Sequence, residues 1–247
     1  MKINLLNTLF ALLALTLCTL HLHAQDPFTS KYEIGINAGT LIYQGDLTPD
    51  AVGSFKTPGL VVGLYGSRRL TNSLALRLDL SHGQLRGDDA KYNSPDWRQE
   101  RALKFKTPVT EVAALLVVNA LGTDRKFSPY LFAGLGYTFL RIRRDYSRFN
   151  YEYFADEGLG EELQRDIDHD LPRSEFHVPV GVGVRYALSN KVGLNVESAY
   201  RHISTDYLDG FSYAGNPKRD DAYFKFSLGV SYQLGKKDPL DCPRVGF

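Results

Sequence analysis

From Ala222 to Leu234 every second side chain is apolar: Ala222, Phe224, Phe226, Leu228, Val230, Tyr232 and Leu234. The intervening positions hold Tyr223, Lys225, Ser227, Gly229, Ser231 and Gln233. An extended strand sends successive side chains to opposite faces, whereas a helix would scatter both sets around its axis. One face of this strand is therefore apolar and the other small or polar. A single strand of this kind also suits a soluble sandwich. The deciding question is whether the pattern recurs along the chain, and which face points outward.

It recurs. The alternation predicts eight strands: Lys31 to Tyr43, Gly59 to Arg69, Ser73 to Leu85, Lys104 to Val118, Tyr130 to Arg143, Phe176 to Tyr186, Lys191 to Thr205, and Ala222 to Leu234. The sixth is the cleanest, with Phe176, Val178, Val180, Val182, Val184 and Tyr186 opposing His177, Pro179, Gly181, Gly183 and Arg185. The fourth carries Pro108 inside it. Leu70-Thr71-Asn72 and Ala187-Leu188-Ser189-Asn190 form tight turns, and Asn119 to Pro129 is somewhat longer. The other four connections are long and rich in Gly, Pro, Asp and Asn, as water-facing loops are.

An even strand count, with short turns on one rim and long loops on the other, is the layout of an outer-membrane barrel. The expected fold is thus all-β, an eight-stranded antiparallel transmembrane barrel. The 22 Gly, 15 Tyr and 14 Phe suit it. Tyr65, Tyr130, Tyr186, Tyr200, Tyr223 and Tyr232 fall near strand ends, where aromatic girdles are expected. The inward face would carry Arg77, Asp79, Glu111, Arg185, Glu197, Arg201 and Lys225. Both signs are present, so these read as a packed ion-pair network filling a bore just wide enough for side chains. A soluble lipocalin-like barrel with its apolar face inside is the alternative.

The chain divides into a signal segment (1–24), the barrel (25–235) and a tail (236–247). Lys2, the apolar run Leu5 to Leu20, and Ala24 before Gln25 read as a secretory signal peptide. Cys18 follows Leu17, which is too large for a lipidation site. After cleavage Cys242 is the remaining cysteine, free or paired with another chain. A net charge of +1, with Lys and Arg scattered along the sequence, gives no case for nucleic acid.

Two groups invite chemistry. His202 and Ser204 share the outward face of the seventh strand, with Asp220 and Asp221 opening the next. A His–Ser pair with a nearby acid can activate a serine. Lipid A deacylases place a similar pair on a barrel strand, followed by Asn-Ala where this chain has Thr205-Asp206. The pair is read first as interfacial polar residues, with lipid A deacylation as the alternative. The acids Asp156, Glu157, Glu161, Glu162, Asp166, Asp168 and Asp170 match no metal-loop spacing. They read as a solvated loop with one short helix around Glu161 to Ile167. No cofactor is expected.

Three stretches carry a family likeness: Tyr32-Glu33-Ile34-Gly35 with Tyr43-Gln44-Gly45-Asp46-Leu47, Ser204-Thr205-Asp206-Tyr207-Leu208-Asp209, and the tail Cys242-Pro243-Arg244-Val245-Gly246-Phe247. Together they resemble the PorG-like outer-membrane barrels associated with type IX protein secretion. The resemblance implies a non-enzymatic accessory or anchor component. It also implies contact with a periplasmic ring built from the lipoprotein PorK and its partner PorN. On that reading the tail, with Cys242, Pro243 and Phe247, is the candidate partner contact. A general small barrel whose loops bind a ligand is the rival.

Overall fold

The computed structural model describes residues 30–49, 53–122, 125–217 and 221–235. Residues 1–24, expected as a signal peptide, Asp220 and the tail with Cys242, Pro243 and Phe247 lie outside the described residues. Eight long strands form the wall: β1 (Tyr32–Gln44), β2 (Gly59–Arg69), β3 (Leu74–Asp88), β4 (Lys104–Asn119), β5 (Phe127–Leu140), β7 (Ser174–Ala187), β8 (Val192–Ile203) and β9 (Ala222–Leu234). A three-residue strand, β6 (Arg143–Asp145), extends it at the long-loop rim. Every pairing is antiparallel, and β3 pairs with both β2 and β4, so the sheet closes on itself. Closure removes free edges, which hydrocarbon would leave without hydrogen-bond partners.

The expectation of eight antiparallel strands is met, with one instructive difference. The fifth strand stops at Leu140 instead of running to Arg143. The pairing Val109↔Leu140 and the pairing Lys106↔Arg143 belong to one register, so β5 and β6 form a single interrupted strand. The gap lies opposite Pro108, which has no N–H to give the ladder. Its carbonyl still accepts from Arg141 N at 3.1 Å.

Two of the short turns share one construction. Thr71 Oγ1 accepts from the amides of Ser73 and Leu74, and Ser189 Oγ from those of Lys191 and Val192. A hydroxyl at the second position substitutes for a backbone acceptor and fixes the turn.

Which face is buried excludes the lipocalin-like alternative. Leu60 is 75% exposed and Leu228 67%, while Arg77 is 4% exposed and Lys225 3%. The apolar face points outward on every long strand, as a lipid-facing surface requires. The tyrosine expectation needs correcting. Tyr186, Tyr200 and Tyr232 lie on the outward face, but Tyr65, Tyr130 and Tyr223 are buried in the bore. Each of the three shares its strand face with the inward charges, and its hydroxyl finds partners there. The girdle near the long-loop rim is instead built by Tyr137, Phe139 and Phe176, with Tyr137 4.8 Å from Phe176 and 5.2 Å from Phe139.

The long loops also depart from expectation. They are not simply solvated, because a second core forms above the lipid-facing band. Leu47, Leu103, Phe105, Leu163, Leu208 and Phe211 are fully buried in it. Two short helices, α1 (Trp97–Arg101) and α2 (Leu159–Asp168), belong to this cap.

The seam between β1 and β9 tests the architecture. A Cβ on Gly39 would sit 1.8 Å from the carbonyl oxygen of Phe226, a backbone atom that cannot rotate away. On β2, a Cβ on Gly66 would meet nothing within 4 Å. Gly39→Val is therefore expected to abolish most of the folded, heat-shifted band on a semi-native gel. Gly66→Ala should leave that band at its wild-type level.

Candidate functional site: a filled bore beneath a packed cap

The bore is filled in three tiers by side chains the alternation turns inward. Nearest the short turns, Glu33 accepts from the Tyr65 hydroxyl at 3.1 Å, from Gln233, and from Arg185 Nη2 at 3.5 Å. Asn195 Nδ2 donates to the same tyrosine oxygen at 2.6 Å.

In the middle tier the Arg77 guanidinium holds two carboxylates. Its Nε and Nη2 reach Asp79 at 2.6 and 3.0 Å, and its Nη1 and Nη2 reach Glu197 at 2.5 and 3.1 Å. The Tyr130 hydroxyl also donates to Glu197, at 2.5 Å. The guanidinium carbon lies 4.0 Å from the centre of the Tyr65 ring, a cation–π contact. In the strand order, β3 and β8 stand four places apart on an eight-stave ring, so the Arg77–Glu197 bridge crosses the full bore.

In the third tier Glu111 accepts from Arg201 Nε at 2.9 Å, Ser81 Oγ at 3.1 Å and Tyr223 Oη at 2.5 Å. His177 Nδ1 meets Thr138 Oγ1 at 2.8 Å. Lys225 is buried here and faces Glu111, Asp79 and Glu197. Arg77, Asp79, Glu111, Glu197, Arg201 and Lys225 are buried in the bore with Arg185 half-buried beside them, and all but Lys225 stand in ion pairs. Glu33 was not singled out from sequence, although its alternation with Tyr32 and Ile34 already placed it on the inner face.

Above these tiers, the two motif stretches on β1 and after β8 meet. The Tyr43 hydroxyl lies 2.6 Å from Asp209 Oδ2 and 2.6 Å from Asp221 Oδ1, and it accepts from Asp46 N at 3.0 Å. A phenol has one proton to give. It satisfies one carboxylate, so the other must bring its own proton. Burial, followed by the adjoining Asp46 and Asp206 charges, pushes Asp209 well above 3.8. Burial and the Asp209 charge do the same to Asp221. The second oxygen of each acid accepts a backbone amide, Phe211 N for Asp209 and Leu208 N for Asp221. Arg98 and Arg101 bond the Asp46 carbonyl and pair with Asp89, and Arg144 Nη1 bonds the Gly210 carbonyl at 3.2 Å.

This geometry separates Asp221 from the residues sequence grouped it with. His202 and Ser204 are exposed on the outer wall, whereas Asp221 is buried on the other side. Asp221 therefore cannot orient His202. The acidic loop is also corrected in part. The expected helix is present, and Asp156, Glu157, Glu161 and Glu162 are exposed on or beside it. Asp166, however, is fully buried and accepts the amides of Ser212, Tyr213 and Ala214 at 3.1, 3.1 and 2.9 Å. It ties α2 to the last long loop. Among the described residues no group of His, Cys, Asp or Glu forms a metal site.

Two outcomes follow from these contacts. Arg77→Met leaves Asp79 and Glu197 buried without their cation and is expected to cost about 3–5 kcal/mol in denaturant unfolding. Arg77→Met with Glu197→Gln should recover part of that loss. The acid pair gives a pH dependence of definite sign. Both acids have raised values when folded, so the folded state holds a proton the unfolded state releases. Their contribution is complete below about 3.8 and is lost as pH rises through the raised value. Asp221→Asn should flatten that fall in thermal midpoint, and equal slopes in wild type and variant would refute a shared proton.

Comparison with known protein families agrees with this architecture. The family model for the outer membrane protein beta-barrel domain matches residues 10–233. Neisserial surface protein A is similar at 16% identity and a TM-score of 0.49, over 83% of this chain and 98% of that one. Ail of Yersinia pestis is similar at 13% identity and a TM-score of 0.45, over 82% and 97%. OprG from Pseudomonas aeruginosa is similar at 12% identity and 0.45, over 86% and 100%. No curated protein matches. With a lipid-facing apolar wall, a closed antiparallel sheet and a match over most of its length, the chain belongs to the outer membrane protein beta-barrel domain family.

Proposed function

We propose that this barrel is a non-enzymatic accessory or anchor component of type IX protein secretion. The long-loop rim faces the cell exterior. The short turns and the tail face the periplasm, where they contact a ring of PorK-like lipoprotein and its PorN-like partner. The observation that carries the reading is the convergence of Tyr43 and Asp209 at 2.6 Å. These residues come from two stretches that carry the PorG-like resemblance and lie far apart in sequence. Their meeting in one buried node gives the shared motifs a common structural purpose. The filled bore agrees with an anchoring part, because side chains from opposite staves meet where a conduit would have to pass.

The test is recovery of partners. A tag placed in a long loop, followed by extraction in mild detergent, should bring down PorK- and PorN-like proteins, and surface labelling of that tag in intact cells should succeed. Recovery of the barrel alone, with secretion intact in a deletion strain, would overturn the role. Cys242→Ala is expected to abolish a reducible adduct with the ring partner on non-reducing gels if the tail thiol makes the contact.

A second reading is lipid A deacylation. It is supported by the outward exposure of both His202 and Ser204. Ser204→Ala would then change lipid A acylation in cells, and the non-enzymatic reading expects no change.

A further inference from the structure

The outer wall above the lipid-facing band carries cations that the sheet brings into one row. Arg86 on β3 is directly opposite Lys106 on β4, and Lys106 is directly opposite Arg143 on β6. Directly paired residues share a face, and all three are exposed. Arg141, also exposed, sits beside Pro108 one outward step below. Arg86 hydrogen-bonds Gln84 through Nε at 2.7 Å, and none of the four makes an ion pair among the described residues. The next row up is different. Lys104 there has Asp88 at 3.8 Å, and Asp145 stands opposite it. Asp145 turns to Ser147, accepting from its hydroxyl at 2.7 Å and its amide at 3.1 Å. The upper row thus carries its own counter-charges and the lower one does not.

Like charges directly opposite one another across strands are destabilising. A row of three has use where an anion lies alongside. Its height identifies which anion. Thr110 pairs with Phe139 of the aromatic girdle, and Lys106 is two outward positions further up β4. At about 3.3 Å per residue and a tilt near 40°, that is roughly 10 Å above the girdle. Long basic side chains bend back toward the headgroups from such a position. The headgroup layer itself is about 5–8 Å deep on each side. The cations therefore meet the membrane at the depth of its phosphates. Arg86 and Arg143 present the planar fork that binds phosphate through paired hydrogen bonds.

We propose that Arg86, Lys106 and Arg143, with Arg141 beneath them, form a site for the phosphate groups of the phosphorylated glycolipid of the outer leaflet. The site commits to a lipid-borne phosphate because it is continuous with the lipid-facing wall and opens sideways toward it. It rests on the outward orientation of the long-loop rim proposed above and is independent of the secretion role.

The test uses the full chain folded in a neutral detergent, titrated with lipid A, with dephosphorylated lipid A and with inorganic phosphate. The comparison is between wild type, the triple variant R86Q/K106Q/R143Q and the control K104Q. The triple variant should bind phosphorylated lipid A at least about tenfold more weakly, since charge-assisted contacts to phosphate are the strong ones. K104Q, whose charge Asp88 already offsets, should bind as wild type does. Wild-type affinity should fall by a similar factor for dephosphorylated lipid A. Without lipid, the triple variant should melt no earlier than wild type, because it removes opposed charges. That readout separates a lost site from a lost fold. Unchanged lipid A binding by the triple variant would overturn the site, as would equal wild-type affinity for the dephosphorylated lipid. Inorganic phosphate displacing lipid A at concentrations matching the lipid would overturn its lipid character. A pull-down without ring partners would leave all these readings standing.

Discussion

The structure depends on the Arg77 bridge across the bore. A barrel of eight staves encloses a space that only side chains can fill, and lipid outside requires the other face to be apolar. Polar residues are therefore committed inward, where each must find a partner. Arg77 meets Asp79 beside it and Glu197 on the opposite stave, so one guanidinium spans the diameter. The rings around it are part of the same solution. Tyr65 stacks against the cation while its hydroxyl reaches Glu33 in the tier below, and Tyr130 takes Glu197 from the side. An ion pair so placed adds little net stability by itself, because both charges leave water. Its effect is on register. A one-residue slip of β3 or β8 would send these charges into lipid.

The cap extends that logic upward with different chemistry. At the top of β1, Leu41 and Ile42 are both buried although they occupy opposite faces of the strand. The chain has risen out of the lipid band there and is covered on both sides. Tyr43 packs edge-on against Phe105 at 4.7 Å and holds the two acids with its hydroxyl. Loops that a polar composition would leave to solvent are thus fastened at carboxylates. Asp166 gathers three successive amides of the last loop, and Asp89 pairs with both α1 arginines. Each fastening replaces water with protein donors at a buried anion, and together they allow an apolar core to form among the loops.

This division explains what could be read from the chain alone. The strands were legible because period-two alternation survives wherever one side faces lipid and the other a packed bore, as in β7 and β9. The inward charges were legible for the same reason. What failed was any reading from residue type alone. Tyrosine was assigned to girdles because it is amphipathic, yet Tyr65, Tyr130 and Tyr223 obey their strand parity and turn inward. Asp166 resembles its exposed neighbours Asp156 and Glu162, and its burial depends on amides some 46 residues away in the chain. Asp221 immediately precedes β9, whose Ala222 pairs with His202, so strand parity turns Asp221 to the opposite side of the wall.

The same limit governs charge. A net charge of +1 with dispersed Lys and Arg describes the sequence, and it describes the folded surface poorly. Antiparallel pairing brings residue 86 beside 106 and 106 beside 143, so cations far apart in the chain become neighbours. The cap meanwhile draws Asp89, Asp166, Asp209 and Asp221 inside. Arg86, Lys106 and Arg143 stay exposed on the outer wall, so that stretch of the rim acquires a local charge that the total conceals. Because lipid electrostatics fall off within about a Debye length, this local arrangement, and not the near-zero sum, is what a phosphorylated membrane surface would experience.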